Sequence, residues 1–179
     1  MILNENFDDK RLEDIHELYE ISFPEDEKMP FRLVLQKREA GVMRLFSVED
    51  EGNFIGFCNI TLCEDALTLN YFAIVPEWQN KGYGSQVIKE LMAAYPQRSI
   101  VIDIEDDEIE AENIEQRIKR KSFYERLGFS VMPFRVTIFG VPSLIMSSGR
   151  EYNFEEYKKI FAQVFSERGV QRLILTKEL

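Results

Sequence analysis

From Leu69 to Ser85 the chain reads Leu-Asn-Tyr-Phe-Ala-Ile-Val-Pro-Glu-Trp-Gln-Asn-Lys-Gly-Tyr-Gly-Ser, an apolar run with strand character that enters a tight loop and opens a helix. A loop of this kind can wrap a phosphate. Glycine lets backbone N–H groups approach an anion closely, and the first helical turn leaves its N–H groups unpaired at the positive end of the dipole. Lys81 adds a formal charge. Residue identity excludes two common phosphate loops. A dinucleotide fingerprint needs a third glycine where Val87 stands, and a P-loop needs its lysine after the glycine, whereas Lys81 precedes Gly82. The plain alternative is an ordinary strand–turn–helix connection.

Few other residues carry chemistry. His16 is the one histidine, which excludes a multi-histidine metal site, and no metal is expected. Cys58 and Cys63, five apart in a predicted strand, point to opposite faces and cannot bridge there. Both read as small buried hydrophobes of a reducing compartment. Lys and Arg number 22 against 32 Asp and Glu, a formal charge of −10. Neutralising phosphates needs a basic face, and an anionic membrane repels an acidic protein, so neither nucleic acid nor membrane is an expected partner. With 45% hydrophobic and 30% charged residues the chain reads as globular rather than disordered. Its 179 residues make about one domain. No basic region leading into an apolar one follows Met1, and the longest uncharged stretch, Val136 to Gly149, contains Gly140 and Pro142. A membrane span needs about 20 apolar residues, so a soluble, cytoplasmic protein is expected.

The elements that must position the loop follow from periodicity. Asp8 or Asp9 caps a helix with Leu12, Ile15, Leu18 and Tyr19 on one stripe, stopped at Phe23-Pro24. The acidic Glu25-Asp26-Glu27 leads to a second helix over Phe31 to Arg38, ended by Gly41. Three strands follow, Val42 to Val48, Phe54 to Cys63 and Ala66 to Val75, joined by short turns as an antiparallel meander. The helix opening at Gly82 runs to Pro96, and Ser99 to Ile104 is a further strand. An acidic loop then precedes a basic amphipathic helix from Asn113 to Leu127, with Gly128 as its left-handed terminator. Phe129 to Phe139 and Val141 to Ser148 form a hairpin around Gly140. In the last thirty or so residues, Asn153 and Glu156 form a capping pair for an amphipathic helix bearing Phe154, Tyr157, Ile160, Phe161, Val164 and Phe165. Gly169 is predicted to end that helix and Val170 to Leu175 to be the final strand. The fold class is α+β, in α/β/α layers: a mixed, mostly antiparallel central sheet flanked by helices. Residues 1–150 are read as the main domain and 151–179 as a C-terminal helix and strand packed on it.

Gln79-x-x-Gly82-x-Gly84 after a strand that ends at Pro76 resembles the acyl-CoA-binding motif of the GNAT superfamily of N-acyltransferases, whose pattern is Arg/Gln-x-x-Gly-x-Gly/Ala. Phe123-Tyr124-Glu125-Arg126-Leu127-Gly128-Phe129 is similar to the family's second motif, a helix carrying Tyr with Gly-Phe at its end. The order of elements also matches, and the resemblance covers residues 8 to 148.

The resemblance implies acetyl-CoA as cosubstrate. Backbone groups of Phe72, Ala73 and Ile74 would pair with the pantetheine arm, and the pyrophosphate would rest on the amides of Gln79, Asn80, Lys81, Gly82, Tyr83, Gly84 and Ser85. Tyr124 would protonate the departing thiolate, a sensible step for a phenol of pKa about 10, unless it is one more buried aromatic. Family members often draw a general base from the end of the fifth strand. Asp103 and Glu105 share one face there, and Glu105, nearest the end, is the candidate, with a solvated acidic loop as the alternative. Many members carry Asn seven residues before the tyrosine; here Arg117 stands there and Asn113 a turn earlier, so that role is not carried over. The insert from Asp106 to Glu112 either pairs with Arg117, Lys119, Arg120 and Lys121 or borders the acceptor site. Trp78 reads as a packing or cofactor-rim residue, and His16 as a surface or half-buried one.

The resulting activity is acetyl transfer to a primary amine, small molecule or peptide, by direct attack in a ternary complex. Two other readings stand beside it: a non-catalytic acyl-CoA-binding or sensor module, and an interaction domain with a vestigial loop. The C-terminal helix belongs to the core, to a substrate lid or to a homodimer contact.

Overall fold

A computed structural model describes residues 1–25 and 28–178, so Asp26 and Glu27 of the acidic loop lie outside the described residues. By compactness the chain divides into two units, Met1–Leu62 with Leu69–Tyr95, and Cys63–Thr68 with Pro96–Leu179. Residues 151–178 thus share a unit with residues 96–150.

In the first unit, helix α1 spans Asp9–Ser22 and buries Ile15, Leu18 and Tyr19. Asp8 caps it, accepting from the Arg11 N–H at 2.9 Å and satisfying one of the unpaired first-turn donors. Helix α2, Phe31–Glu39, buries Phe31 and Val34. Strands β2 (Arg44–Asp50), β3 (Asn53–Leu62) and β4 (Ala66–Ile74) make the predicted meander. Glu51 and Gly52 both have positive φ, 47° and 82°, the hairpin geometry that matches strand twist. A short strand β1, Ile2–Asn4, pairs antiparallel with β2. Three residues are too few to show a period, so register with β2 alone places it. The aromatic core centres on Tyr19, whose ring meets Tyr71 edge-on at 4.9 Å and Phe31 at 5.2 Å. Tyr19 Oη donates to the Met29 carbonyl at 2.6 Å and the Met29 N–H donates to Tyr71 Oη at 2.9 Å, tying the segment before α2 to β4. A 3-10 turn, Pro76–Trp78, then leads to helix α3, Tyr83–Ala94.

The second unit holds strand β5 (Ser99–Glu105), helix α4 (Ile114–Glu125) and the hairpin β6 (Ser130–Ile138) and β7 (Val141–Ser147). Helices α5 (Phe154–Val164) and α6 (Glu167–Val170) and strand β8 (Leu173–Glu178) follow. Hydrogen-bonded neighbours run β1-β2-β3-β4 and then β4-β5-β7-β6-β8, β4 contributing residues to both units. The β4–β5 pairing is parallel and covers three pairs, Ala66↔Ser99, Leu67↔Ile100 and Thr68↔Val101, all in the second unit. From Leu69 to Ile74, β4 belongs to the first unit.

Two expectations at the C-terminal end are corrected. The amphipathic helix stops at Val164, not at Gly169, because Phe165 adopts extended backbone, stacks on Phe161 at 4.4 Å and packs at a tilt against Phe139 at 5.2 Å. Gly169 lies inside α6 instead. The last strand runs from Leu173 rather than Val170, since its start is set by pairing Leu173 with Ile138 of β6. The Asn153–Glu156 capping box is present, and the stripe Tyr157, Ile160, Phe161 and Val164 is buried. Its partners are Val101, Phe134 and Ile145 from the strands of its own unit. Their burial favours folding by about 25 cal/mol for each Å² of apolar surface removed from water.

Candidate active site

The loop after β4 is braced by its own side chains. Gln79 Nε2 donates to the Ile74 carbonyl at 2.8 Å, folding the loop back on the strand that precedes it. Tyr83 Oη donates to Asp50 Oδ2 at 2.8 Å, and its ring meets Trp78 edge-on at 5.6 Å. Lys81 Nζ sits over the Trp78 ring at 4.5 Å, so Trp78 packs against side chains of the loop itself. Asn80 and Gly82 both turn left-handed, φ 60° and 90°. For Gly82 this is the conformation that other residues resist, which explains the glycine. Gln86 is the first α3 residue bonded back to the turn, to the Gly82 carbonyl at 3.1 Å. The N–H groups of Tyr83, Gly84 and Ser85 precede it, and helix geometry leaves them without intrahelical acceptors. Loop side chains thus hold the loop, and backbone donors remain for an anion.

Just before the loop, Phe72, Ala73 and Ile74 are half-buried, whereas β4 is buried up to Leu69. Gly56 on β3 sets this stretch. A Cβ there would collide with the Ala73 carbonyl oxygen and come within 3.0 Å of Ile74 Cα. The Val75 N–H also donates to the Ile55 carbonyl at 2.9 Å, so the end of β4 is held tightly against β3. Gly56 was not singled out from the sequence, because a glycine inside a strand does not reveal which backbone approaches it.

The groups with proton-transfer chemistry lie in the second unit. Tyr124 is buried on α4, its ring packed on Phe123 at 5.0 Å and Phe129 at 5.2 Å. Gly128 at φ 89° turns the chain so that the Phe129 N–H returns to the Tyr124 carbonyl at 3.1 Å. Burial pushes the phenol up to about 12; the Arg120 charge opposes this and Asp103 adds to it. Asp103 faces Ile145 across the β5–β7 ladder. It shares the strand face of Val101, whose core also contains Ile145 and Tyr157. Crowding by surrounding protein pushes the Asp103 carboxyl up to about 6, opposed by its own N–H. Solvent still reaches the side chain, so desolvation is partial and this value is an upper bound.

Glu105 is employed differently. Only 7% exposed, it accepts from Asn113 Nδ2 at 2.8 Å, Arg120 at 2.6 Å and Arg117 at 3.1 Å. Arg117 Nε also donates to Asn113 Oδ1 at 2.8 Å, and Arg117 reaches the Asp106 carbonyl at 3.0 Å. Lys121 pairs with Asp107 at 3.0 Å, and Arg135 with Asp106 at 3.3 Å and Glu108 at 2.5 Å. Of the basic α4 residues expected to pair with the acidic insert, Lys121 pairs with Asp107, whereas Arg117 and Arg120 pair with Glu105 and Lys119 with Glu115. Arg117, seven residues before Tyr124, is a member of this network.

His16 is half exposed on α1, stacked on Phe31 at 4.3 Å. Cys58 and Cys63 are unpaired and buried, and burial raises their thiols to about 12 and 11. Among the described residues no group of three metal-ligating side chains comes together, and no helix is long and apolar enough to cross a membrane.

Residues 42–131 match a family model described as "Acetyltransferase (GNAT) domain". The chain belongs to the GNAT acetyltransferase family. That family is one of acyltransferases, and the α+β fold accords with it. A Bacteroides thetaiotaomicron protein assigned to the GNAT family superposes with a TM-score of 0.78 at 20% identity, over 95% of this chain and 99% of that one. An aminoglycoside 6'-N-acetyltransferase complexed with coenzyme A gives 0.59 at 17%, over 86% and 100%. A spermidine N-acetyltransferase from Vibrio cholerae gives 0.62 at 20%, over 82% and 94%. At these identities the likeness shows the shared GNAT fold. A search of curated proteins finds no sequence match.

Proposed function

We propose that the protein transfers the acetyl group of acetyl-CoA to a primary amine by direct attack in a ternary complex. The observation that carries this is the loop 79–85: its side chains bind protein, and its left-handed turns and first-turn amides offer a cradle for a pyrophosphate. The donor set fits the cosubstrate. The amides of Asn80 to Ser85 would hold the pyrophosphate, since the Gln79 N–H already donates to the Pro76 carbonyl at 3.2 Å and its side chain braces the loop, and the backbone of Phe72, Ala73 and Ile74 would hold the pantetheine arm.

An amine reaches the protein mostly as ammonium and must lose a proton before it can attack. Asp103, solvent-reached and with a carboxyl raised towards neutrality, is suited to take it. Glu105, the expectation from position along the strand, is held by three donors; we assign it the positioning of α4, and through α4 of Tyr124. The neutral amine attacks the thioester carbonyl, and the C–S bond breaks. Tyr124 gives its proton to the departing sulfur; burial keeps the phenol protonated, and the charge of Arg120 favours the phenolate left behind. The nitrogen's second proton restores Tyr124, so the products are amide, free CoA and one proton released by Asp103. Cys58 and Cys63 are buried with raised thiols, which suits neither to act as a covalent acyl carrier and agrees with a reducing cytoplasm.

The acceptor class we infer is cationic. A net charge of −10 steers cations inward, and two of the superposed enzymes are named for acceptors with several amino groups, an aminoglycoside and spermidine. Thermal unfolding with acetyl-CoA, CoA and NAD tests the cosubstrate. At about 100 times its dissociation constant a ligand adds roughly 2.7 kcal/mol of stability. A rise in Tm with both thioester and free CoA, but not with NAD, is the expected result. No rise at millimolar acetyl-CoA would refute it, and binding without transfer to any amine would leave the non-catalytic module.

A further inference from the structure

We propose that Tyr157, on the C-terminal helix α5, is an acceptor-binding residue that forms with Asp103 the recess receiving the substrate's ammonium group. This rests on the acetyl-transfer reading above and adds to it a residue outside both family motifs.

Asp103 and Val101 lie on the same face of β5, and Val101, Ile145 and Tyr157 belong to one packed cluster. Tyr157 itself lies 5.9 Å from Phe134 of β6, ring to ring, so it packs over the sheet on the face that carries Val101 and Asp103. Asp103 is also near enough to act on the phenols of both Tyr157 and Tyr124. Neither phenol donates or accepts a hydrogen bond among the described residues. Yet the only sealed side-chain polar atom without a partner among those residues is Nη1 of Arg135. The two tyrosine hydroxyls therefore keep an opening to solvent, although the residues that carry them are 3% and 7% exposed. Two hydroxyls not sealed from water, both acted on by an exposed carboxylate, are placed to line a site for a polar guest.

The guest's chemistry follows from the lining. An ammonium group has three donors and no acceptor. The two Asp103 oxygens and Tyr157 Oη supply three acceptors, and the negative charge selects a cation over a neutral alcohol or amide. When Asp103 takes one proton, Tyr157 still accepts an N–H of the neutral amine and so orients its lone pair. Tyr124, at the same recess, stays available for the departing sulfur.

The test uses the full chain, its Tyr157→Phe variant and four amine probes: butylamine, benzylamine, 1,4-diaminobutane and lysine amide. Phenylalanine keeps the ring and its packing while removing a hydroxyl that has no protein partner, so Tm should be unchanged or slightly raised. The KM for the amine should rise about tenfold, the effect of one lost hydrogen bond of about 1.4 kcal/mol, while acetyl-CoA affinity by calorimetry stays within twofold. An amine KM unchanged within twofold, with the wild type active, overturns the role of Tyr157 and leaves the acetyl-transfer reading standing. A wild type that binds acetyl-CoA but acetylates none of the probes overturns both.

Discussion

Tyr124 is packed through its ring by Phe123 and Phe129, so removing its hydroxyl tests chemistry with little disturbance of packing. Tyr124→Phe should lower kcat by about a hundredfold, within the usual range for a general acid, and leave acetyl-CoA affinity within twofold. Asp103 makes a different prediction. Its base form is lost below a pH near 6, so kcat/KM of the wild type should fall on the acid side with an apparent pKa at or below about 6. The titratable or charged groups that act at this recess are Tyr124 and Arg120 from α4 and Tyr157 from α5. Asp103→Asn should remove that limb together with most activity. The sign for stability runs the other way from that of an ordinary paired carboxylate. A carboxyl raised on folding contributes stability that is fully present below its unfolded value near 4 and is lost as pH rises through about 6. At pH 7 the Asn variant should therefore melt no lower than the wild type.

Elements position these groups through a few contacts. Glu105 joins the end of β5 to α4 through Arg117, Arg120 and Asn113. Glu105→Gln would leave two guanidinium groups poorly compensated, Arg117 largely buried among them. A loss of about 3 kcal/mol in urea unfolding is expected, a cost typical of breaking a buried pair by removing one partner. Gly56 acts on β4 by permitting close approach. In Gly56→Ala the new methyl meets the Ala73 carbonyl, so strand end and loop must shift. Overpacking of this kind costs about 1–3 kcal/mol, and because the displaced backbone is the stretch we propose for the pantetheine arm, calorimetry should also show weaker acetyl-CoA binding.

At the scale of the whole molecule, the C-terminal thirty or so residues are part of a core. Tyr157, Ile160 and Phe161 close over Val101, Phe134 and Ile145, and Arg150 joins Asp65 to Glu156. A chain ending at Gly149 would leave those strand residues facing water. It should be insoluble or lack a cooperative melting transition by circular dichroism, whereas a segment serving only as a subunit contact could be removed with a folded monomer remaining. The net charge of −10 coexists with a dense set of paired cations around residues 105–121, so the charge total alone does not show where an attractive surface lies.

Local chemistry explains what was legible without the structure. The motif loop, the Asp8 cap, the positive-φ glycines at 82 and 128 and the Asn153–Glu156 box are each written in residues a few positions apart, and their geometry follows from neighbours in sequence. The order of helices and meander strands followed from periodicity for the same reason. The rest required contacts between distant residues. Strand β1 exists through its register with β2, and β8 starts where Ile138 pairs with Leu173. Phe165 leaves the helix to pack against Phe139 and Phe161. The alternation of β5 put Asp103 and Glu105 on one face, but tertiary packing gave them different surroundings: Arg117, Arg120 and Asn113 converge on Glu105, whereas Asp103 stays exposed and acts on tyrosines of two different helices. A carboxylate's partners decide whether it holds structure or moves protons, and partners that come from other elements are chosen only when the chain folds.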